Sequence, residues 1–277
     1  MLPVKIHIAY KRISSYFFLG ITGILTGFTV TLFLASYKDI SLYFVFFMLF
    51  LSILGFLFFG FLIKILFGSE DHTVLRSFIF IGVLQLVLAN TFDESQLIVL
   101  DLYVLGFSIA ICIGRLGCYA VGCCHGKPAK KGMAYTDKHV KLGFPKRLAN
   151  TNLIPVQLLE SAGLLLIHLV CVYAYFWYYS GVPFLIFIYG YGILRFFLEF
   201  YRGDRGRPYL LRFSEAQWTT YLLTSLLSIY LYSFKEHLFS YWMVIYFLAI
   251  SLISLMYYSS KDKKFNFLKK EKTRNIT

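Results

Sequence analysis

Charged residues are scarce in this sequence. Only 15% of its 277 residues are Asp, Glu, Lys or Arg, whereas a soluble domain carries about a quarter. These charges cluster between long apolar runs, and 58% of the chain is hydrophobic. Each run approaches or exceeds the roughly 20 residues that a helix needs to cross a bilayer. The composition therefore excludes an ordinary soluble domain and predicts an all-α fold, a polytopic transmembrane helical bundle.

Acidic residues are rarer than basic ones. The chain has 14 Asp and Glu against 27 Lys and Arg, which gives a formal net charge of +13. The basic residues are unevenly distributed, as membrane topology and contact with anionic lipid headgroups require. The sequence has no zinc finger and no RNP box, so we expect membrane lipids and no nucleic acid among its partners.

A disulfide framework is also absent. The cysteines are odd in number, and most lie in or beside apolar runs, namely Cys112, Cys118, Cys123, Cys124 and Cys171. Small secreted proteins instead carry an even set of cysteines in polar sequence.

The apolar runs predict seven or eight membrane spans. They cover roughly residues 16–37, 40–67, 74–90, 96–124, 154–180, 183–201, 215–233 and 239–259. We see no internal repeat, and predict one integral membrane domain over residues 1–277. It would have a basic loop at residues 125–153, between the fourth and fifth spans, and a basic tail at residues 260–277. With both ends in the cytoplasm, 23 Lys and Arg lie inside and only Lys38 and Lys235 outside, as the positive-inside rule favours.

The stretch at residues 114–128, GRLGCYAVGCCHGKP, is the first candidate site. Arg115 lies in apolar sequence, where an arginine is costly without an anionic partner or water. Gly117 and Gly126 are among the glycines that let the backbone approach a neighbour or a ligand closely. Asp101 lies fourteen residues earlier, roughly 21 Å away along a helix, so it needs a different partner. That partner lies either across the bundle or in a ligand. The alternative is that Asp101 lies at the membrane surface, where it caps a helix or is solvated.

The sixth span carries a second polar constellation. Tyr191, Arg195, Glu199 and Arg202 follow at steps of four, four and three residues, which places them on one helical face. We interpret this face as meeting Arg115, with an anion such as a phosphodiester between the two arginines. The alternative is a local Arg195–Glu199 ion pair.

The fifth span begins with a polar pair on one helical face. Gln157 and Glu160 enter an otherwise apolar helix three residues apart. They either contribute to the site or join helices by hydrogen bonds.

The cysteines beside Arg115 do not have the spacing of a metal site. Cys118, Cys123, Cys124 and His125 lie within eight residues, but no C-x-x-C pair and no second ligand cluster is present. Adjacent cysteines on a helix also point to different faces. We therefore expect no metal and no disulfide there, and expect Ser or Ala at all three cysteines to leave activity within about tenfold.

These motifs together resemble the prolipoprotein diacylglyceryl transferases, bacterial membrane enzymes that lipidate lipoprotein precursors. The arginine-glycine segment at Arg115 is similar to the signature of that family, and Asp101 stands where the family has an acidic residue. Residues 154–160 are similar to its H-P-x-Q-L-x-E segment, and residues 191–204 to its Y-G-x-x-R…E…R-G-D segment. Residues 214–218 are similar to the S-x-G-Q-W opening of its last span. The resemblance covers about residues 95–233 in the family's order.

The sequence also departs from the family. The third span reads SFIFIG at residues 77–82 and lacks the family's histidine, which is held to be important for catalysis. Cys118 replaces an asparagine, Cys123 an acidic residue and Ile154 a histidine. The family topology also implies an extracytoplasmic loop after the fourth span, whereas the charge count places that loop in the cytoplasm.

The resemblance implies transfer of a diacylglyceryl group from phosphatidylglycerol to the cysteine thiol of a lipoprotein precursor, without a cofactor, in a bacterial cell (inner) membrane. The expected catalytic residues are Arg115, Arg195, Tyr191 and Glu199. The expected substrate-binding residues are Asp101, Gly117, Gly126, Gln157, Glu160 and Arg202. The general base stays open between His125 and Glu160. The alternatives are a non-catalytic phospholipid-binding relative and a related transferase with another thiol or lipid.

Overall fold

The structure is a computed structural model that describes residues 2–8, 11–67, 74–203, 209–210 and 213–233. The chain divides into two compact units, Met1–Gly206 and Arg207–Thr277. The single domain expected over residues 1–277 stays a prediction. The eighth expected span and the basic tail at residues 260–277 lie outside the described residues.

The long apolar runs of the first unit form helices, because a helix satisfies its backbone hydrogen bonds within its own segment, as a membrane requires. A hairpin of β1 (Lys5–Ile8) and β2 (Lys11–Ser14) precedes them. The first four helices are α1 (Ser15–Tyr37), α2 (Leu42–Phe67), α3 (Val74–Thr91) and α4 (Gln96–Val121). The next segment contains β3 (Pro128–Ala134), α5 (Asp137–Val140), a 3-10 turn (Lys146–Leu148) and β4 (Asn152–Leu153). The unit continues with α6 (Val156–Trp177) and α7 (Val182–Glu199).

Helices occupy all seven expected spans that the structure describes, and the fold class is confirmed. Five of these helices, α1, α2, α4, α6 and α7, are long and apolar enough to cross a membrane, and α3 contains a shorter apolar helix. Many large apolar side chains on α1 and α2 are exposed, as lipid-facing residues are. The chain is a multi-pass membrane protein. The fourth span ends at Val121, earlier than the expected residue 124.

Small residues set the position of α4 against α1. A Cβ atom built on Gly23 would lie 2.5 Å from the Ala110 carbonyl oxygen, and one on Gly27 would lie 2.6 Å from that of Gly106. A Cβ on Gly106 would in turn overlap the Thr31 hydroxyl. The small-xxx-small spacing on both helices therefore lets their backbones touch.

Polar side chains join α4 to α6 inside the unit. Ser108 Oγ lies 2.8 Å from His168 Nδ1, and Ser161 Oγ donates to the Cys112 carbonyl oxygen at 2.8 Å. In a lipid environment such bonds hold helices together at fixed depth. They align the two helices that carry Arg115 and Glu160.

The basic loop at residues 125–153 is a folded segment. Strands β3 and β4 pair antiparallel, and Tyr135, Phe144, Leu148 and Leu153 form a small buried core. The lysines and arginines lie mostly on its outside, with Lys130, Lys131, Lys138, Lys141, Lys146 and Arg147 exposed. Its few apolar residues are therefore sufficient to fold a segment that the composition marks only as charged.

The second unit, where described, contains β5 (Tyr209–Leu210), β6 (Phe213–Ser214) and α8 (Glu215–Ser233). Ser214 and Gln217 cap α8 reciprocally. The Ser214 amide donates to Gln217 Oε1 at 3.0 Å, and the Gln217 amide donates to Ser214 Oγ at 3.3 Å. This is a capping box, and it explains the spacing of the S-E-A-Q-W motif physically.

Candidate functional site

Four buried polar side chains meet at one carboxylate oxygen. Glu160 of α6 directs its Oε1 atom toward Arg115 of α4 and toward Tyr191 and Arg195 of α7. Arg115 Nη2 lies at 2.9 Å, the Tyr191 hydroxyl donates at 3.0 Å, and Arg195 Nη1 lies at 3.9 Å. The two arginines therefore converge, as expected, and the carboxylate of the fifth span lies between them.

Helix α7 carries Tyr191, Arg195 and Glu199 on one face, as expected, but it ends at Glu199, so the expectation that Arg202 shares this helical face is wrong. Arg195 Nη2 forms an ion pair with Glu199 Oε2, one turn later, at 3.1 Å. The local ion pair and the approach to Arg115 thus occur together. Glu199 therefore holds one terminal nitrogen of the Arg195 guanidinium group, and the other terminal nitrogen lies toward Glu160.

The cluster has a surplus of positive charge. Arg202 lies close enough to act electrostatically on both Glu160 and Arg195, so three guanidinium groups face the carboxylates of Glu160 and Glu199. All five side chains are buried. Buried ions are tolerated only when they are paired and hydrogen-bonded. Among the described residues, Arg115 Nε and Arg195 Nη1 have no hydrogen-bond partner. The arrangement is suited to bind an additional anion.

Backbone contacts bring Arg202 to the end of α4. Gly126 and Arg202 form an isolated antiparallel bridge, and the Gly203 amide donates to the His125 carbonyl oxygen at 3.0 Å. A Cβ on Gly203 would lie 2.5 Å from the Gly126 carbonyl oxygen, and one on Gly126 would overlap that of Ile154. Both glycines are therefore needed for close backbone approach, and Gly126 lies beside the cluster.

Gln157 fixes the loop that follows α4. Its Nε2 atom donates to the Cys123 carbonyl oxygen at 2.7 Å and lies 3.3 Å from the Tyr135 hydroxyl. The Ile154 amide donates to the Lys127 carbonyl oxygen at 3.0 Å just before α6 begins. Gln157 therefore joins elements of the protein, the alternative role that the sequence left open, at the edge of the polar cluster.

Two of the expected substrate-binding residues contact other elements. Asp101 accepts hydrogen bonds from the amides of Gly181 at 2.7 Å and Phe184 at 2.9 Å, and so caps the N-terminus of α7. Gly117 packs against the α1 backbone, where a Cβ would lie 3.2 Å from the Tyr16 Cα atom. The capping alternative for Asp101 is what the structure contains, and its partner is 80 residues away in sequence.

The cysteines converge, which the sequence did not indicate. The sulfur atoms of Cys118, Cys123 and Cys124 all lie within 4.8 Å of one another. Helix α4 ends at Val121, so Cys123 and Cys124 are not on a helix and the expectation that they face apart does not apply. Gly122 at φ 87° and Cys124 at φ 55° turn the chain back over the helix end.

Charge and hydrogen bonding act on this thiol cluster. Contacts with the Cys118 and Cys123 thiols, together with the nearby Arg202 and Arg115, hold the pKa of Cys124 well below its usual value, although burial opposes this. Contacts with the other two thiols and burial raise the pKa of Cys123. Negative charge in the cluster is therefore favoured at Cys124.

No histidine is present in α3, and Ser77, Phe78 and Ile81 are buried there. At residues 77–82, Phe78 stacks on Tyr103, whose hydroxyl donates to the Phe78 carbonyl oxygen at 2.9 Å. His125 is buried, with Nδ1 3.0 Å from the Gly126 carbonyl oxygen. His125 is therefore the histidine nearest in sequence to the thiols, on the loop that Gln157 fixes.

A second basic region lies between the N-terminal hairpin and the folded loop. It is a cavity of about 530 Å³. Its polar lining consists of Lys5, His7, Arg12, Lys138, His139 and Lys141. Burial lowers the pKa of His139, while Lys5, Arg12, Lys138 and Lys141 contribute positive charge to this cavity.

Comparison with known proteins matches this chain to one family. A sequence model of the family described as prolipoprotein diacylglyceryl transferase matches residues 3–234. A relative from Clostridium tetani (strain Massachusetts / E88) is 33% identical over 124 residues and is named phosphatidylglycerol–prolipoprotein diacylglyceryl transferase. That match covers 42% of this chain and 46% of the relative, so this chain spans about half the length of the curated relative that it matches.

Proposed function

The chain belongs to the prolipoprotein diacylglyceryl transferase family, and from this premise we propose that it transfers a diacylglyceryl group from phosphatidylglycerol to the cysteine thiol of a lipoprotein precursor. The observation that carries the proposal is the convergence of Arg115 and Arg195 on Glu160. The proposed location is a bacterial inner membrane, where lipid and precursor are both within reach of a multi-pass protein.

The reaction needs stabilisation of a phosphate leaving group. The acceptor sulfur forms a bond to the glyceryl carbon that carries the phosphate ester, and the C–O bond to phosphate breaks. The electron pair leaves on glycerol phosphate, and the thiol proton must be removed. Guanidinium groups fixed in a site of low dielectric stabilise such developing charge strongly, because they need no reorganisation.

The described contacts give each residue a role. Glu160 holds Arg115 and Arg195 in place, while Arg115 Nε and Arg195 Nη1 keep donors for phosphate oxygens. Tyr191 orients a lipid oxygen or the carboxylate, and Glu199 positions Arg195. Arg202 adds positive charge at the Gly126 bridge.

The test is transfer of label from phosphatidylglycerol to a lipobox peptide in detergent, comparing the parent chain with Arg195→Ala. Loss of one preorganised donor group lowers rates by about a hundred- to a thousandfold, so we expect label on the peptide cysteine that falls by this factor. Arg147→Ala removes an exposed arginine of the loop and is the matched control. Equal transfer by both variants would refute the assigned role of Arg195.

The second candidate is a phospholipid-binding protein without activity, and the absence of a histidine from α3 favours it. Proton removal by a general base is worth about a hundred- to ten-thousandfold, whereas a thiol is already a few per cent ionised at neutral pH. Tight binding of phosphatidylglycerol with no label transferred, across a range of pH, would leave only this function.

A further inference from the structure

We propose that Cys118, Cys123 and Cys124 bind one thiophilic metal ion, with Zn²⁺ as the expected species, and that an open coordination position on this ion takes the acceptor thiol. The second part rests on the proposed function, and the first part does not. The observation that carries both is the convergence of three sulfur atoms within 4.8 Å of one another.

The chain reaches this geometry at a conformational cost. Cys124 has φ 55°, a left-handed backbone that is uncommon and strained for a residue other than glycine. Gly122 at φ 87° makes the preceding turn. Such strain persists where surrounding contacts determine it, and here Gln157 anchors the turn through the Cys123 carbonyl oxygen. Strained residues of this kind cluster at functional sites.

The sulfur separations suit a metal ion. A Zn–S bond is about 2.3 Å long, so two sulfur ligands of one ion lie about 3.7–4.0 Å apart. Separations below 4.8 Å reach this range through small rotations of the side chains. Thiolate ligands favour Zn²⁺ and Cu⁺ over hard cations. A disulfide would use two of the three sulfurs and leave the third without a function.

The surroundings suit the charge of such a site. One Zn²⁺ with three thiolates carries a net charge of −1, and an unpaired buried charge is costly. Arg115 and Arg202 both act electrostatically on Cys124. Cys118 is buried, Cys124 is half-buried and Cys123 is exposed, so the thiol cluster is accessible from the side of Cys123. The cluster found among the described residues supplies three ligands, and a zinc site with three protein ligands and one open position is the catalytic type.

The position of the cluster relates it to the transfer reaction. Cys118 lies three residues after Arg115 on α4, about 4.5 Å along the same helical face. A thiol that coordinates zinc is deprotonated. The acceptor thiol would bind the open position and release its proton to solvent, and the bound sulfur would then attack the glyceryl carbon as the C–O bond to phosphate breaks. The metal would keep its oxidation state. It would supply the thiol activation for which α3 has no histidine.

The first measurement is the metal content of the purified full chain, carried without a polyhistidine tag. We expect about one zinc ion per chain, because three thiolate ligands select and hold a soft metal ion such as zinc. We expect the metal content per chain to fall about tenfold or more in the variants Cys118→Ser, Cys123→Ser and Cys124→Ser. Cys112→Ser and Cys171→Ser change buried cysteines outside the cluster and should retain it. Each variant must elute as the same monodisperse peak as the parent chain. A parent chain without zinc or copper, or with fewer than five free thiols after unfolding in the absence of reductant, would overturn the proposal.

The second measurement tests the open position. In the Co²⁺-substituted chain, a lipobox peptide should change the thiolate charge-transfer absorption, and the same peptide with Ser in place of its Cys should not. Metal binding without this change would overturn the thiol-accepting role. A chain that binds the metal and the peptide thiol but transfers no label from phosphatidylglycerol would contradict the transferase proposal alone. The metal proposal would still stand. Removal of the metal should abolish transfer, whereas the cysteine spacing alone predicts that Ser at all three positions costs about tenfold at most.

Discussion

Glu160 is the residue on which the polar cluster depends, since one of its oxygen atoms faces two guanidinium groups and the Tyr191 hydroxyl. Glu160→Gln keeps the shape of the side chain but removes the negative charge between Arg115 and Arg195. Breaking a buried ion pair by removal of one partner costs about 3–5 kcal/mol. We therefore expect a lower melting temperature in detergent and loss of diacylglyceryl transfer.

The control for this variant is Asp93→Asn, which neutralises an exposed carboxylate at φ 54°, a conformation that asparagine tolerates. It should leave both melting and transfer unchanged. If Glu160→Gln melted with the parent chain, the two arginines would have another anionic partner.

Substitutions at Asp101 distinguish a helix-capping role of this residue from a substrate-binding role. Because its carboxylate accepts from the Gly181 and Phe184 amides at the N-terminus of α7, Asp101→Ala should lower stability by about 0.5–2 kcal/mol. Asp101→Asn keeps one acceptor oxygen, so its stability should lie between that of the parent chain and that of Asp101→Ala. The variant chains that remain folded should transfer label with an unchanged KM for phosphatidylglycerol. A raised KM at unchanged stability would instead support the substrate-binding role that the family resemblance assigns.

Helices α1 and α4 depend on small residues where their backbones touch. Gly27→Leu would force a side chain toward the Gly106 carbonyl oxygen, and overpacking of this kind costs about 1–3 kcal/mol. Gly20→Leu is the matched control on the same helix, since a Cβ there meets nothing within 4 Å. Thermal unfolding in detergent should distinguish the two variants. Equal melting temperatures would show that α1 can move away from α4 at little cost.

The helices could be predicted from the sequence, whereas the details of the site could not. Apolar runs must form helices in lipid, and periodicity placed Tyr191, Arg195 and Glu199 on one face. The partner of Asp101 and the contact of Gly117 with α1 depend on long-range packing that no spacing indicates. Convergence of the thiols depends on where α4 ends and on the left-handed backbone of Cys124. A cysteine in that conformation has no sequence signature, although Gly122 just beyond an apolar run is a signal for a helix end.

At the scale of the whole chain, the cavity between the hairpin and the folded loop bears on membrane topology. Lys5 and Arg12, before α1, line the same cavity as Lys138 and Lys141, after α4, so both segments lie on one side of the bilayer. Lys38 follows α1 and belongs to the other side. The charge count places Lys38 outside the cell and the loop inside it. The family resemblance gives the opposite orientation, with the loop outside.

Labelling of native lysines in intact cells with a membrane-impermeant amine reagent, read by mass spectrometry, measures this topology. We expect Lys38 and the pair Lys138 and Lys141 to react from opposite sides, because α1 is long and apolar enough to cross the membrane. Reaction of Lys38 alone in intact cells would support the charge count, and reaction of Lys138 and Lys141 alone would support the orientation of the family. Inverted vesicles should give the complementary pattern. Labelling of all three lysines from one side of sealed vesicles would contradict the span assigned to α1.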